Sequence, residues 1–268
     1  MNKIQKLFKA IGLIIKKPYL LNLVIESEDV MKDKVKQDYG MSDGLPLVEI
    51  DELFKPFSGT AEPYAYLSGA TMPIDIALLR ALAQRYNVEN YFEIGTWRGE
   101  SVANMAQVVR QCTTLNLPKE DIINLTHNEL YANLHSFFSK DLDNVEQLYG
   151  NSLTYDFSRL YGQYDMVFVD GDHHYDSVKK DTKTAFKLLR DDNSIIVWHD
   201  YALDPETIRW DVMAAILDGA PANKRNYIYH ISNTLCAVYL PETLPTKKLI
   251  PYEKPQKYFK IDIQSVKL

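Results

Sequence analysis

The sequence predicts an α/β fold built on a doubly wound, mostly parallel sheet, and three observations carry that expectation. Three short runs, Tyr91-Phe92-Glu93-Ile94, 165–170 (DMVFVD) and 194–198 (SIIVW), are apolar almost throughout, as strands buried on both faces must be. Segments with helical periodicity lie between them, and strands that alternate with helices are joined by crossovers and run parallel. Polar residues gather just past the strand ends, where ligands bind in such sheets: Glu93 and Gly95, Asn116, Asp170 and Asp172, His199 and Asp200.

Residues 1–60 read as a helical amino-terminal extension, a lid or an oligomer arm. The opening MNKIQKLFKAIGLIIKKPYLL mimics a secretion signal, but Lys9, Lys16 and Lys17 interrupt its apolar part and no small-residue cleavage site follows. Ile4, Leu7, Phe8, Ile11, Ile14 and Ile15 recur at helical spacing, with Lys3, Lys6 and Lys9 mostly elsewhere. Such a helix either lies on a membrane surface or packs on its own domain or on a partner subunit; the second fate is the expected one. A loop follows at Asp43-Gly44-Leu45-Pro46 and Lys55-Pro56.

Residues 61–240 read as the α/β domain. Its first helix spans 73–87, with Ile74, Ile76, Leu78, Leu79, Leu82 and Ala83 apolar. Next come the strand at 91–94, a glycine turn, a helix over 101–110 and a second strand at Thr113-Thr114-Leu115-Asn116. Helix and loop occupy 119–145, and Tyr149 leads into a third strand. The strand 165–170, a helix over 175–190, the strand 194–198 and a helix over 207–217 complete the alternation. Runs 226–231 and 234–240 flank Ser232-Asn233, a hairpin signal that adds an antiparallel strand. Residues 241–268, rich in lysine and proline, read as a surface tail.

With 46% hydrophobic and 25% charged residues among 268, the chain has ordinary globular composition and enough apolar side chains for a sizeable core. A net charge of −6 argues against a sequence-independent nucleic-acid binder, which needs a basic face. Cys112 and Cys236 are far apart in apolar stretches, which fits two buried core thiols in a reducing cytoplasm. No stretch is long and apolar enough to span a bilayer.

In Glu93-Ile94-Gly95-Thr96-Trp97-Arg98-Gly99-Glu100-Ser101 the chain must turn sharply from strand to helix beside a ligand. Gly95 and Gly99 remove side chains there and tolerate unusual φ/ψ, while the helix start aims free N–H groups at an anionic group. The spacing is G-x-x-x-G, not the G-x-G-x-x-G of dinucleotide enzymes. Neighbouring strands also bring Asp170 and Asp200 into one site. Paired carboxylates repel unless a cation or a shared proton compensates, and a divalent ion such as Mg²⁺ satisfies them.

The motif E-I-G-T-x-x-G-x-S after a strand resembles the first motif of class I S-adenosylmethionine-dependent methyltransferases. The resemblance runs over about residues 88–240 and is most specific at 91–101 and 165–201. It implies a Rossmann-like, seven-stranded sheet with the last strand antiparallel. It also implies a cofactor site at Glu93, Gly95, Thr96, Gly99 and Ser101, with the glycines around the methionine part and Glu93 anchoring its cationic end. Asn116 stands where the family usually has an acid on the ribose hydroxyls, and Asn151-Ser152 resembles the segment near the adenine. The clusters Asp170-Gly171-Asp172-His173-His174-Tyr175 and Trp198-His199-Asp200-Tyr201 resemble the metal-dependent O-methyltransferases acting on small molecules and sugars. That branch implies Asp170 in the cofactor site and Asp170, His199 and Asp200 as ligands of Mg²⁺ or Mn²⁺; His199, where an acid is commoner, favours a softer ion. Asp172 is the first candidate base by family position and His173 the second by its near-neutral titration, with His174 structural. Trp97, Tyr175, Trp198 and Tyr201 either wall the pocket or belong to the core. Two other readings compete: a metal-dependent phosphoesterase using the Asp-His-His cluster, and a non-catalytic binding protein that keeps the fold.

Overall fold

The central strands are apolar on both faces because both faces are covered. In the computed structural model, which describes residues 1–21 and 27–267, alternate side chains of β2 (Asn90–Ile94), β5 (Met166–Val169) and β6 (Ile195–Trp198) enter opposite cores. Phe92, Ile94, Val167, Val169, Ile196 and Trp198 meet the helices Glu28–Tyr39, Tyr175–Leu188 and Trp210–Gly219. Tyr91, Met166, Phe168, Ile195 and Val197 meet the helices Pro73–Arg85 and Glu100–Ala106.

The main sheet has 8 strands in the order β1-β9-β10-β6-β5-β2-β3-β4. Here β1 is Leu47–Val48, β3 Gln111–Asn116, β4 Val145–Tyr149, β9 Ile228–Ile231 and β10 Ala237–Tyr239. Strands β4, β3, β2, β5 and β6 are mutually parallel, and β10 runs antiparallel to both its neighbours. The order grows outward from β2 to β4 and then returns to β5 on the other side of β2. The crevice between β2 and β5 is therefore the switch point.

The structure departs from the sequence expectation in several places. The sheet gains a strand beyond the expected seven because Leu47–Val48 of the amino-terminal segment pairs with β9, and Leu47 exchanges two backbone hydrogen bonds of 2.9 Å with Lys247. The third strand ends at Tyr149 instead of following it: β4 is an edge strand, half exposed, and its consecutive polar Glu146 and Gln147 conceal it. The helix expected over 101–110 stops at Ala106, where the Val108 and Val109 amides both turn back to the Met105 carbonyl. The helix expected from residue 207 begins at Trp210, because β8 (Thr207–Ile208) pairs with β7 (Ala202–Asp204) in a small second sheet. The helix Lys3–Lys16 has no buried side chain, so it finds no enclosing surface among the described residues. Cys112 and Cys236 are buried and unpaired, as expected.

The helix Glu28–Tyr39 is fastened to the helix Trp210–Gly219 through Asp218, which accepts hydrogen bonds from the Tyr39 and Tyr175 hydroxyls and an ion pair from Lys34 at 3.1 Å. Burial alone would raise this carboxyl, but the hydrogen bonds from Tyr175, Tyr39 and Lys34 win and hold it at about 2, against an ordinary 3.8. A depressed carboxyl stabilises the fold above its unfolded titration and loses that contribution as pH falls through its folded one. Asp218→Asn is expected to cost about 2 kcal/mol at pH 7. The deficit should shrink as pH drops from 4 towards 2, which urea melts of both proteins across that range would read.

Candidate active site

A row of backbone hydrogen bonds carries the parallel ladders one residue past the strand ends. The Gly150 amide donates to Asn116 at 2.8 Å, Gly95 to Leu115 at 2.9 Å, Asp170 to Ile94 at 2.8 Å and His199 to Val169 at 3.0 Å. Above this row opens a cavity of about 830 Å³, ample for a nucleoside-sized ligand. Gly95, Thr96, Asn116, Asn151, Ser152, Asp170, Asp172, His173, His199 and Asp200 all line it. Glu93, Gly99 and Ser101 do not; they stand one layer behind the wall.

The glycine turn owes its composition to the protein's own backbone. Gly95 has φ +91°, and a Cβ there would strike the Asp170 carbonyl and lie 2.7 Å from the Gly171 Cα. Gly99 has φ +79°, and its Cβ would meet the Ser139 hydroxyl and lie 2.9 Å from the Ser139 Cβ. At both positions neighbouring loops and the positive φ leave no room for a side chain. Behind the turn, Glu93 is fully enclosed and accepts hydrogen bonds from Ser101 Oγ at 2.7 Å and from the Tyr91 hydroxyl. Burial pushes its carboxyl up to about 8. It braces the turn from the core side.

Thr96 and Thr114 share a hydroxyl hydrogen bond that joins the turn to β3. Trp97, at φ +42°, turns its indole to the cavity and packs 4.4 Å from Tyr131 and 4.8 Å from His135 between ring centroids. Asn116 Nδ2 lies 2.8 Å from His135 Nδ1. Burial lowers the His135 titration, so its ring is neutral. If Asn116 donates to Nδ1, the ring hydrogen sits on Nε2. That atom and Trp97 Nε1 are buried with no hydrogen-bond partner, and both residues line the cavity. The wall beside Asn116 thus holds two donors without acceptors.

The second cluster forms across β5 and β6. One donor atom each from Asp170, His199 and Asp200 can be chosen so that all lie within 4.8 Å of one another. His199 Nδ1 is 3.0 Å from Asp170 Oδ1 and 3.5 Å from Asp200 Oδ1, yet it makes no well-directed hydrogen bond to either. Strand alternation turns His199 to the face opposite Trp198. There its Nε2 meets Asp75 Oδ2 at 3.3 Å, while Asp75 Oδ1 accepts the Leu235 amide at 3.0 Å. Burial pushes the imidazole titration down, but Asp170, Asp200 and Asp75 overcome this and hold it well above its ordinary range. Two carboxylates, an undirected ring nitrogen between them and a third carboxylate orienting the far nitrogen make the usual surroundings of a metal-bound histidine. This mixed set suits one divalent ion of intermediate softness.

Asp172 is already engaged. It accepts from Ser177 Oγ at 2.7 Å and from the His174 amide at 3.2 Å, and it also meets the His174 ring. Burial alone would raise its carboxyl, but those contacts lower it below the usual range. It ties the turn to the helix Tyr175–Leu188. His173 stacks on His174 at 5.3 Å. Of the four aromatic candidates, Trp97 lines the cavity; Trp198 and Tyr201 are core residues, and Tyr175 is bonded to Asp218.

Several residues at the site escaped the sequence reading. Asp75 had a signal: it shares a helix face with the buried Leu78, Leu79 and Leu82, an acid in an apolar stripe. Thr71, whose hydroxyl donates to Asp170 at 3.1 Å, had none. Nor had the residue 67–71 segment, pinned at the cavity rim by Arg98, which donates to the Ser68 carbonyl at 2.8 Å and the Leu67 carbonyl at 3.2 Å. His135 lies in a stretch whose course the sequence does not fix.

The span 92–201, which starts inside β2 and ends one residue past Asp200, matches a family described as a methyltransferase domain. No curated protein matches the chain. Among solved structures, the O-methyltransferase from Bacillus cereus in complex with SAH is similar at 16% identity, covering 83% of this chain and 96% of that one, with a TM-score of 0.45. The SAH-bound Podospora anserina methyltransferase PaMTH1 is similar at 18% identity over 80% of this chain and 96% of its own, with a TM-score of 0.45. The O-methyltransferase TomG from Streptomyces achromogenes, in complex with SAM, aligns at 17% identity over 83% of this chain and 94% of its own, with a TM-score of 0.43. The turn, the strand-end row and the Asp-His-Asp cluster all fall inside the span 92–201 that is similar to a methyltransferase domain.

Proposed function

We propose that the chain transfers a methyl group from S-adenosylmethionine to a hydroxyl of a small molecule or sugar, assisted by a divalent cation. One observation carries the reading: within a methyltransferase domain, the Asp170-His199-Asp200 cluster opens onto the same cavity as the glycine turn. The cofactor supplies an electrophilic sulfonium methyl group. Gly95 and Thr96 form the floor of its cradle, Asn151 and Ser152 face its base, and Asn116, His135 and Trp97 offer hydrogen-bonding groups to its sugar. The unpartnered Trp97 Nε1 and His135 Nε2 support this fit.

Asp170, His199 and Asp200 would hold the cation, whose charge makes a bound hydroxyl more acidic. Thr71 steadies Asp170 and Asp75 steadies His199, so the acceptor meets fixed side chains. For the proton, His173 is the better acceptor. Asp172 already takes hydrogen bonds from Ser177 and His174, whereas His173 lies on the cavity wall next to it. A phosphoesterase fits less well. Among the described residues this is the only three-ligand group, which leaves room for one ion where a two-metal hydrolase needs two.

Incubation with labelled S-adenosylmethionine and a panel of phenols, vicinal diols and sugars should yield a methylated product and the demethylated cofactor. Activity at full strength in chelator would remove the metal from the scheme. His135→Ala is expected to weaken binding of the demethylated cofactor about tenfold in calorimetry, the worth of one lost hydrogen bond to a polar ligand. Unchanged affinity would put the sugar elsewhere. Asp75→Asn keeps an acceptor for Leu235 but loses the carboxylate behind His199. It should weaken Mn²⁺ binding about 10–100-fold with little change in cofactor affinity.

A further inference from the structure

The helix Lys3–Lys16 has no part in the chemistry proposed above, yet it is well made. Asn2 Oδ1 accepts the Gln5 amide at 2.9 Å and Gln5 Oε1 accepts the Asn2 amide at 3.0 Å, a closed capping box. At 3.6 residues per turn, Ile4, Leu7, Phe8, Ile11, Ile14 and Ile15 fall within about 120° of its circumference, and the lysines occupy the other side. No side chain of the helix is buried; Ile4, Phe8 and Ile15 are 65%, 69% and 75% exposed. A stripe of this kind marks a contact surface.

Charge and length choose the occupant. Lys3, Lys6, Lys9, Lys16 and Lys17 precede the first acidic residue, Glu26, in a chain whose net charge is −6. For pairing with a second copy, 14 residues make only two heptads, short of a stable coiled-coil seam. No helix among the described residues is long and apolar enough to cross a membrane. We propose that this helix lies in the plane of an anionic lipid surface, its apolar stripe at the acyl boundary and its lysines on the headgroups. Tyr19, 62% exposed just past the helix, sits where an interfacial aromatic would. The inference stands independently of the methyl transfer.

The full chain should co-sediment with vesicles of equal parts phosphatidylcholine and phosphatidylserine, far less with phosphatidylcholine alone, and less again in high salt. Phe8→Asp should cut partitioning at least about tenfold, and Lys6→Gln with Lys9→Gln should remove most of the preference for the anionic vesicles. Both variants should keep the melting temperature of the parent, since none of the three side chains is buried. Three results would overturn the proposal: no sedimentation of the parent chain, equal sedimentation of Phe8→Asp, or a dimer in sedimentation velocity that Phe8→Asp dissolves. The last would assign the stripe to a second copy.

Discussion

The register of the parallel ladder through β3, β2, β5 and β6 governs the chemistry above it. Ile94 stands opposite Leu115 on one side and Val169 on the other, and Val169 stands opposite Trp198. The next residue of each strand therefore arrives level: Asn116, Gly95, Asp170 and His199. A slip by one residue would turn every side chain to the other face and scatter that row. Two apolar cores forbid the slip, because Phe92 and Tyr91, or Trp198 and Val197, each fit only their own side. Ordinary hydrophobic burial thus decides which polar groups arrive together above the sheet.

A second constraint comes from the layer beyond the sheet. Asp75 is fully buried, and a buried carboxylate that loses its partner costs about 3–5 kcal/mol. It is kept by the Leu235 amide and the His199 ring, two contacts from beside the paired strands β10 and β6. His199 is in turn held between three carboxylates. The helix Pro73–Arg85 therefore packs by its leucines and orients the site by its one buried acid.

The strands β2, β5 and β6 were legible because burial on both faces leaves a continuous apolar run. The edge strand β4 was not, since Glu146 faces water and Gln147 bonds to the Ser136 and Ser139 hydroxyls there, and β1 is too short to carry a pattern. The acids and histidine at the strand ends were legible by type and place. The glycines were legible as a turn, but sequence does not reveal that Asp170 and Ser139 come from elsewhere to crowd them. His135 and Thr71 were hidden because each reaches the cavity from a loop whose path only packing decides. Asp172 was visible as an acid, while its commitment to Ser177 and His174 depends on how the next helix begins.

The segment at the rim has a further consequence. Ser68 to Thr71 overhangs the Asp170 side of the cavity, held by Arg98, and lies outside the span that matches the methyltransferase family. Asn116, His135 and Gly95 lie inside that span. On the proposed methyl transfer, recognition of the donor and admission of the acceptor would then be written in separate stretches of chain, and drift in the rim would alter which molecule is admitted while the cradle stays as it is.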